Sequence, residues 1–227
     1  MSVAASKKVL HFFSKYKPIF YKKGETIIRA SDNPQGINFL VGGYVRHYSI
    51  NQEGQELTLN IFKPGSYFPV VWAIAGETNH YFYEAMTQVE IRRAPKREAV
   101  SFFRQNPSVL YELTKRLLSG LNGLLIRMES LLLGNAKQRV SSTLFILAKR
   151  FGEKNGGDNI LIKIPITHQA IASLAGLSRE TTSLEMKKLE REGVIAKQNR
   201  YIAVNKLGKL KPKSLSYPRR KYPPHSF

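Results

Sequence analysis

Between Ile166 and Val204 the chain spells out two short helices with marked ends, and few folds accept that punctuation. Thr167 can cap a first helix, in which Ile171, Leu174 and Ala175 recur at helical spacing. Ala172 is small enough to let a second helix approach closely. Gly176 supplies a turn that glycine adopts without a Cβ penalty. Ser178 is placed to cap the next helix, which opens Arg179-Glu180-Thr181, turns Met186 and Leu189 toward the first, and ends at Gly193. The stretch predicts a helix-turn-helix. Val194-Ile195 and Tyr201 to Val204, with Gln198-Asn199 at the turn, then read as a two-stranded wing.

That arrangement carries a chemistry. The start of such a second helix can enter a duplex major groove, where Arg179 can pair bidentately with guanine and Glu180 can accept from cytosine N4. Ser183 is within reach of a base or phosphate, and Leu184 offers only apolar contact, for example to a thymine methyl. Thr167, Gln169, Ser178 and Thr181, with the wing residues Gln198 and Arg200, are expected on phosphates. The plainer alternative is a helical hairpin with exposed Arg and Glu; agreement among cap, glycine turn, polar first turn and wing argues against it. Glu185 stands where such a motif often buries an apolar residue.

Leu177-Ser178-Arg179-Glu180-Thr181, followed by Lys187-Lys188-Leu189-Glu190-Arg191-Glu192-Gly193-Val194-Ile195, resembles the C-terminal domain of the Crp/Fnr superfamily of bacterial transcription regulators. The resemblance runs over nearly the whole chain and is more specific in this half. It implies a cytoplasmic DNA-binding regulator that contacts RNA polymerase, with no residue assigned to that contact. Leu184 stands where many members carry a second base-reading arginine, so the usual half-site does not transfer.

Composition agrees. With 227 residues the chain fits one large or two modest domains, and no apolar run reaches the ~18 residues that span a bilayer. The absence of cysteine excludes disulfides, iron–sulfur clusters and thiol switches. A formal charge of +20 favours a polyanionic partner, and the helix-turn-helix selects double-stranded DNA.

Upstream, Val9-Leu10 and Phe12-Phe13 suggest a short packed helix. From Lys22 the texture becomes short β-type runs broken by glycine: Thr26 to Ile28, Asn38 to Val41, Tyr44 to Ile50, Leu57 to Phe62, Tyr67-Phe68 and Tyr81 to Ile91. Regular short strands predict a barrel or jelly roll. The order Lys23-Gly24-Glu25, Gly42-Gly43-Tyr44-Val45, Glu53-Gly54-Gln55-Glu56-Leu57 and Pro64-Gly65-Ser66-Tyr67-Phe68 resembles the same family's cyclic-nucleotide-binding roll. Nucleotide-binding members place a Gly-Glu pair on the ribose and an Arg-Ser pair on the cyclic phosphate. By register these fall on Val70-Val71 and near Tyr81-Phe82, which implies no cyclic AMP binding by the usual contacts. Aromatic residues fill the roll instead, either as a closed core or as an apolar effector pocket lined by Tyr67, Trp72, Tyr81 and Tyr83. His47 and His80 read as surface groups; neither metal nor haem is expected, and no cofactor is implied.

A short helix is expected from Ala94 to Phe103. Asn106-Pro107 opens a long one to about Leu133. Leu110, Leu117, Leu124 and Leu131 recur every seven residues, and Leu113, Leu121 and Met128 widen the stripe. Leu118, Leu125 and Leu132 make a second row. So much apolar circumference calls for cover on two sides: its own roll, and the same helix of a second chain. Burial of both rows within one chain is the alternative. Gly134-Asn135 breaks the helix as a hinge, and Asn135 caps the next, Ala136 to about Phe151. Glu153 to Asn159 reads as a loop and Ile160 to Ile164 as a strand.

The expected class is therefore α+β. The divisions are 1–105, a β-roll sensor domain; 106–134, a dimerisation helix and hinge; 135–210, a winged helix-turn-helix; and 211–227, a basic flexible tail. The expected function is a homodimeric sequence-specific DNA-binding regulator. A protein-binding roll with secondary DNA contact, and a cupin-like metal enzyme, are the rivals from other classes.

Overall fold

The computed structural model describes residues 3–156 and 159–212. The chain forms two compact units, Met1–Ser119 and Gly120–Phe227, divided within its longest helix. Most of the expected basic tail, residues 213–227, lies outside the described residues.

The first unit opens with helix α1 (Val3–Ser14), whose Val9 and Phe13, four residues apart, are fully buried while Leu10 is exposed. Strands β1 (Pro18–Tyr21), β2 (Thr26–Ile28), β3 (Ile37–Gly42), β4 (Val45–Ile50), β5 (Glu56–Phe62) and β6 (Tyr67–Phe68) follow. After them come helix α2 (Val70–Ala75), strands β7 (Phe82–Ala85) and β8 (Val89–Ala94), helix α3 (Lys96–Gln105) and helix α4 (Pro107–Leu133), which continues into the second unit. The strands make two four-stranded antiparallel sheets, ordered β1-β8-β3-β6 and β2-β7-β4-β5. Leu40, Val45, Phe68, Tyr83, Val89 and Ile91 fill the space between them. Ile37 and Phe39, on the other face of β3, pack with Val9, Phe13, Phe103 and Leu113 under the helices. The period-2 alternation of β3 thus serves two cores at once.

Three features differ from the sequence reading. The run Tyr81 to Ile91 is two strands, because Met86 N donates to Tyr44 O (2.8 Å) and Tyr44 N donates to Thr87 Oγ1 (3.1 Å), which binds a turn there. Pro18–Tyr21 is an edge strand with Pro18 at its start, a place where the missing N–H does no harm. Val70–Ala75 is helical despite its branched residues, held between Pro69 and a left-handed Gly76.

In the second unit the rest of α4 leads to α5 (Ala136–Phe151), capped by a reciprocal pair of bonds between Asn135 and Gln138. Strands β9 (Gly152–Lys154) and β10 (Ile160–Ile162) form a hairpin, so part of the expected loop after Gly152 is strand. Helices α6 (His168–Ala175) and α7 (Arg179–Arg191) precede β11 (Ile195–Gln198), β12 (Tyr201–Val204) and a short α8 (Leu207–Leu210). The sheet order is β11-β12-β10-β9. Val140, Leu144, Ile162, Ile171, Met186, Leu189, Val194 and Val204 are buried in this unit.

Candidate nucleic-acid interface

The helix pair is built by its caps. Thr167 Oγ1 accepts from Ala170 N and Ser178 Oγ from Thr181 N, each at 3.1 Å, satisfying donors that a helix start leaves open. Gly176 turns the chain at φ +60, and a Cβ there would meet Leu131 Cδ2 at 3.1 Å. Arg139 Nε donates to Gly134 O at 3.0 Å, and its Nη1 reaches Gly176 O at 3.5 Å, so one guanidinium links the start of α5 to the turn between α6 and α7.

Met186 and Leu189 are buried against α6, which leaves the opposite side of α7 outward. Arg179, Glu180 and Leu184 are exposed there, Leu184 at 60%. A leucine so bare on an otherwise polar face is suited to an apolar partner group. Ser183 does not join them freely: its Oγ lies 2.9 Å from His168 Nδ1, which ties α7 to the start of α6. Thr167, Gln169 and Ser178 are exposed and Thr181 is half-buried, its Oγ1 accepting from Ser178 Oγ at 2.9 Å.

In the wing, Gln198 pairs with Tyr201, so the turn is Asn199-Arg200 and Gln198 ends β11 instead of starting the turn. Asn199 takes φ +55, a conformation asparagine tolerates better than most residues. Gln198 accepts from Asn155 Nδ2 at 3.2 Å, while Arg200 stacks on Tyr201 and donates to its hydroxyl at 3.1 Å. Glu185 is 8% exposed; its Oε1 accepts from Lys188 Nζ at 2.7 Å and its Oε2 is buried without a hydrogen-bond partner among the described residues. His168, Lys188 and Arg139 are thus the supporting residues of this face. His168 escaped the sequence reading, since a contact between residues fifteen apart on different helices leaves no periodic trace.

Along α4, Val109 and Leu113 are buried while Leu110, Leu117, Leu118, Leu121, Leu124, Leu125 and Met128 are exposed, and Leu131 is half-buried. One side of the helix is covered and the other carries a bare apolar row.

The structure does not gather the four aromatic residues of the expected effector pocket. Tyr67 and Trp72 belong with the core under the helices, where Tyr67 stacks near Phe13 and Phe39. Tyr83 lies between the sheets against Phe68 and Phe62, and Tyr81 is exposed. Burial raises the Tyr67 hydroxyl to about 12 and pushes Tyr83 up as well. His47 is no surface group: it stacks on Tyr83 at 4.6 Å, meets Tyr81 edge-on at 4.8 Å, and its Nε2 is buried without a hydrogen-bond partner among the described residues. His80 is exposed.

Burial lowers the His47 imidazole from 6.5 to about 4. The folded state therefore resists a proton that the unfolded chain accepts. Stability is full above 6.5 and declines as pH falls toward 4, by about 3 kcal/mol in all from this group. Denaturant unfolding of His47→Phe should show a flatter decline across that window than the parent; parallel curves would remove His47 from the account.

Among the described residues no helix is long and apolar enough to cross a membrane, and no group of three His, Cys, Asp or Glu could hold a metal ion. What the geometry defines is a DNA-binding winged helix-turn-helix unit coupled in one chain to a β-roll unit. Comparison with known proteins narrows the class. A Crp-like helix-turn-helix domain model matches residues 138–212, and a cyclic nucleotide-binding domain model matches residues 18–106. The transcriptional regulator SdrP of Thermus thermophilus is 30% identical over 153 residues, covering 67% of this chain and 71% of that one. The global nitrogen regulator of Nostoc sp. is 28% identical over 192 residues, covering 82% and 84%. The solved structure of a CRP/FNR-family transcriptional regulator, also from Thermus thermophilus, superposes with TM-score 0.68 at 26% identity, over 90% of this chain and 100% of that chain. The chain belongs to the Crp/Fnr superfamily and is a DNA-binding transcription regulator of that type.

Proposed function

We propose that two copies of the chain bind one DNA duplex, with Arg179, Glu180 and Leu184 at base edges in each half-site. The observation that carries this is the outward, capped and unpacked first turn of α7. Thr167, Gln169, Ser178, Thr181 and Arg200 then hold phosphates, and Gln198 joins them from the end of β11. Ser183 acts through His168, keeping α7 at a fixed angle to α6, and reads no base. The bare row on α4, with Leu117, Leu121, Leu124 and Met128 at its centre, supports pairing with the same helix of a second copy, which would set half-sites about 34 Å apart. The protein acts as a cytoplasmic regulator rather than an enzyme, and docks on RNA polymerase as its relatives' class implies.

Its roll does not take cyclic AMP by the family's usual contacts. Val71 is exposed and apolar at the start of α2, and Tyr81-Phe82 present no cation for a phosphate. Footprinting of ligand-free protein on promoter DNA tests the reading: a protected pair of half-sites, unchanged by added cyclic AMP, is the expected result. Micromolar cyclic AMP binding by calorimetry would overturn the second part, and protection of no defined site would overturn the first.

A further inference from the structure

One cavity in the roll has no part in reading DNA. It is a half-open cleft of about 450 Å³ between Tyr21 of β1, Ile27 and Ile28 of β2, the loop from Asp32 to Gln35, Asn38 of β3 and Arg93 of β8. That volume suits a small organic ligand. Strand register explains why a cavity forms there. Leu40 on β3, and Val89 and Ile91 on β8, fill the space between the sheets. Two residues along each strand the same face presents Asn38 and Arg93, which are direct cross-strand partners. The apolar filling stops at this polar pair, and the cavity begins.

Charge is the unusual part. Arg93 Nε donates to Asn38 Oδ1 at 2.8 Å, Nη1 to Gln35 Oε1 at 2.6 Å and Nη2 to the Tyr21 hydroxyl at 3.1 Å. All three acceptors are neutral, and two of the five guanidinium N–H groups remain open among the described residues. Asn38 is 1% exposed, and its amide nitrogen has no acceptor among the described residues. Asp32 lines the same cavity without an ion pair among the described residues. A cation and an anion therefore share one cavity and do not neutralise each other.

The wall that carries Asp32 is a fixed one. Asn79 donates to Arg29 O and to Tyr81 O, each at 2.9 Å, and its own carbonyl accepts from Ser31 N at 2.8 Å. Ser31 is held at φ +67, outside the range a serine prefers. Pro34 is buried, and at Gly36 a Cβ would stand 2.3 Å from Ala94 O, so the loop lies directly on β8.

We propose that this cavity binds a small ammonium carboxylate of the α-amino-acid type. The carboxylate takes the open Arg93 N–H groups and the Asn38 amide, the ammonium takes Asp32, and the apolar part rests on Ile27, Ile28 and Pro34. A simple anion would meet repulsion from Asp32, and a simple cation would meet it from Arg93; only a ligand with both charges suits both groups. The site is separate from Val70-Val71 and Tyr81-Phe82, where the family's nucleotide contacts fall, and stands whether or not α7 reads DNA as described.

The test is thermal melting of the full chain with each of the standard L-amino acids at millimolar concentration. Any that shifts the melting point is then compared with its deamino acid and its decarboxylated amine. At least one amino acid is expected to raise the melting temperature, with both analogues binding at least about tenfold more weakly. Asp32→Asn should weaken the amino acid about tenfold and strengthen the deamino acid by relieving its repulsion, while Arg93→Gln should abolish both. Asp32 is exposed and makes no side-chain bond among the described residues, so that variant is informative even if Arg93→Gln fails to fold. No shift with any amino acid, equal binding of the deamino acid by the parent, or an amino-acid affinity unchanged in Asp32→Asn would overturn the proposal.

Discussion

Replacing Leu117 and Leu124 together by glutamate should convert the protein to a monomer and lower its affinity for specific DNA by at least ~100-fold. The argument starts from exposure. Leu117, Leu121, Leu124 and Met128 are 49%, 52%, 40% and 47% exposed on one chain, far more than leucine and methionine usually show at the middle of a helix. Covering the exposed half of each contributes about 1 kcal/mol, and the row repeats on the second copy. The sum, on the order of 10 kcal/mol, is comparable with the cost of bringing two chains together. Two carboxylates per copy placed in that seam would each need to be desolvated or protonated, at several kcal/mol. Dimerisation then fails, and each half-site must be bound alone. Affinity for scrambled DNA should fall much less, because the basic surface of each copy is untouched. Light scattering and a titration on specific and scrambled duplexes check both parts. A variant that stays dimeric, or a parent that is monomeric at micromolar concentration, would show that the α4 row has another purpose.

The helix-turn-helix is the most legible part of the chain because its signals are local. Thr167, Gly176 and Ser178 act within three residues of themselves, so cap and turn chemistry can be read from sequence order alone. The same holds for Asn135 and for the alternating strands of the roll. What cannot be read depends on partners far away in the chain. The fate of His47 is set above all by Tyr83, on β7, a strand that sequence order does not place beside it. Trp72 and Tyr67 look like neighbours of Tyr81 and Tyr83 in an aromatic cluster, yet α2 and the helical layer draw them to the opposite face of β3. Arg93 is inconspicuous within β8, because a polar residue in an alternating strand normally reads as outward. Here the alternation places it inward, opposite Asn38, and only the register discloses that.

Substituting Arg179 by alanine should cost about 1–3 kcal/mol per half-site, or about 2–6 kcal/mol for a two-site complex, nearly all of it in discrimination between sequences. Arg179 stands first in α7, directly after the Ser178 cap, with an exposed side chain and no ion pair among the described residues to break. Its loss therefore leaves the fold unstrained and removes a bidentate base contact. Glu180 and Leu184 remain to read their own positions, so preference should relax at one base pair per half-site and persist at the others. Arg200→Ala provides the contrast. Arg200 lies at the tip of the wing on Tyr201 and is assigned to phosphate, so its removal should weaken specific and scrambled duplexes alike and reduce the salt slope by about one per copy. Selection from a randomised half-site, with each variant titrated at two salt concentrations, separates the roles. If Arg179→Ala kept the parent's sequence preference and affinity, base reading would have to pass to Glu180, Leu184 or the wing, and the first turn of α7 would lose its central place in the proposed function.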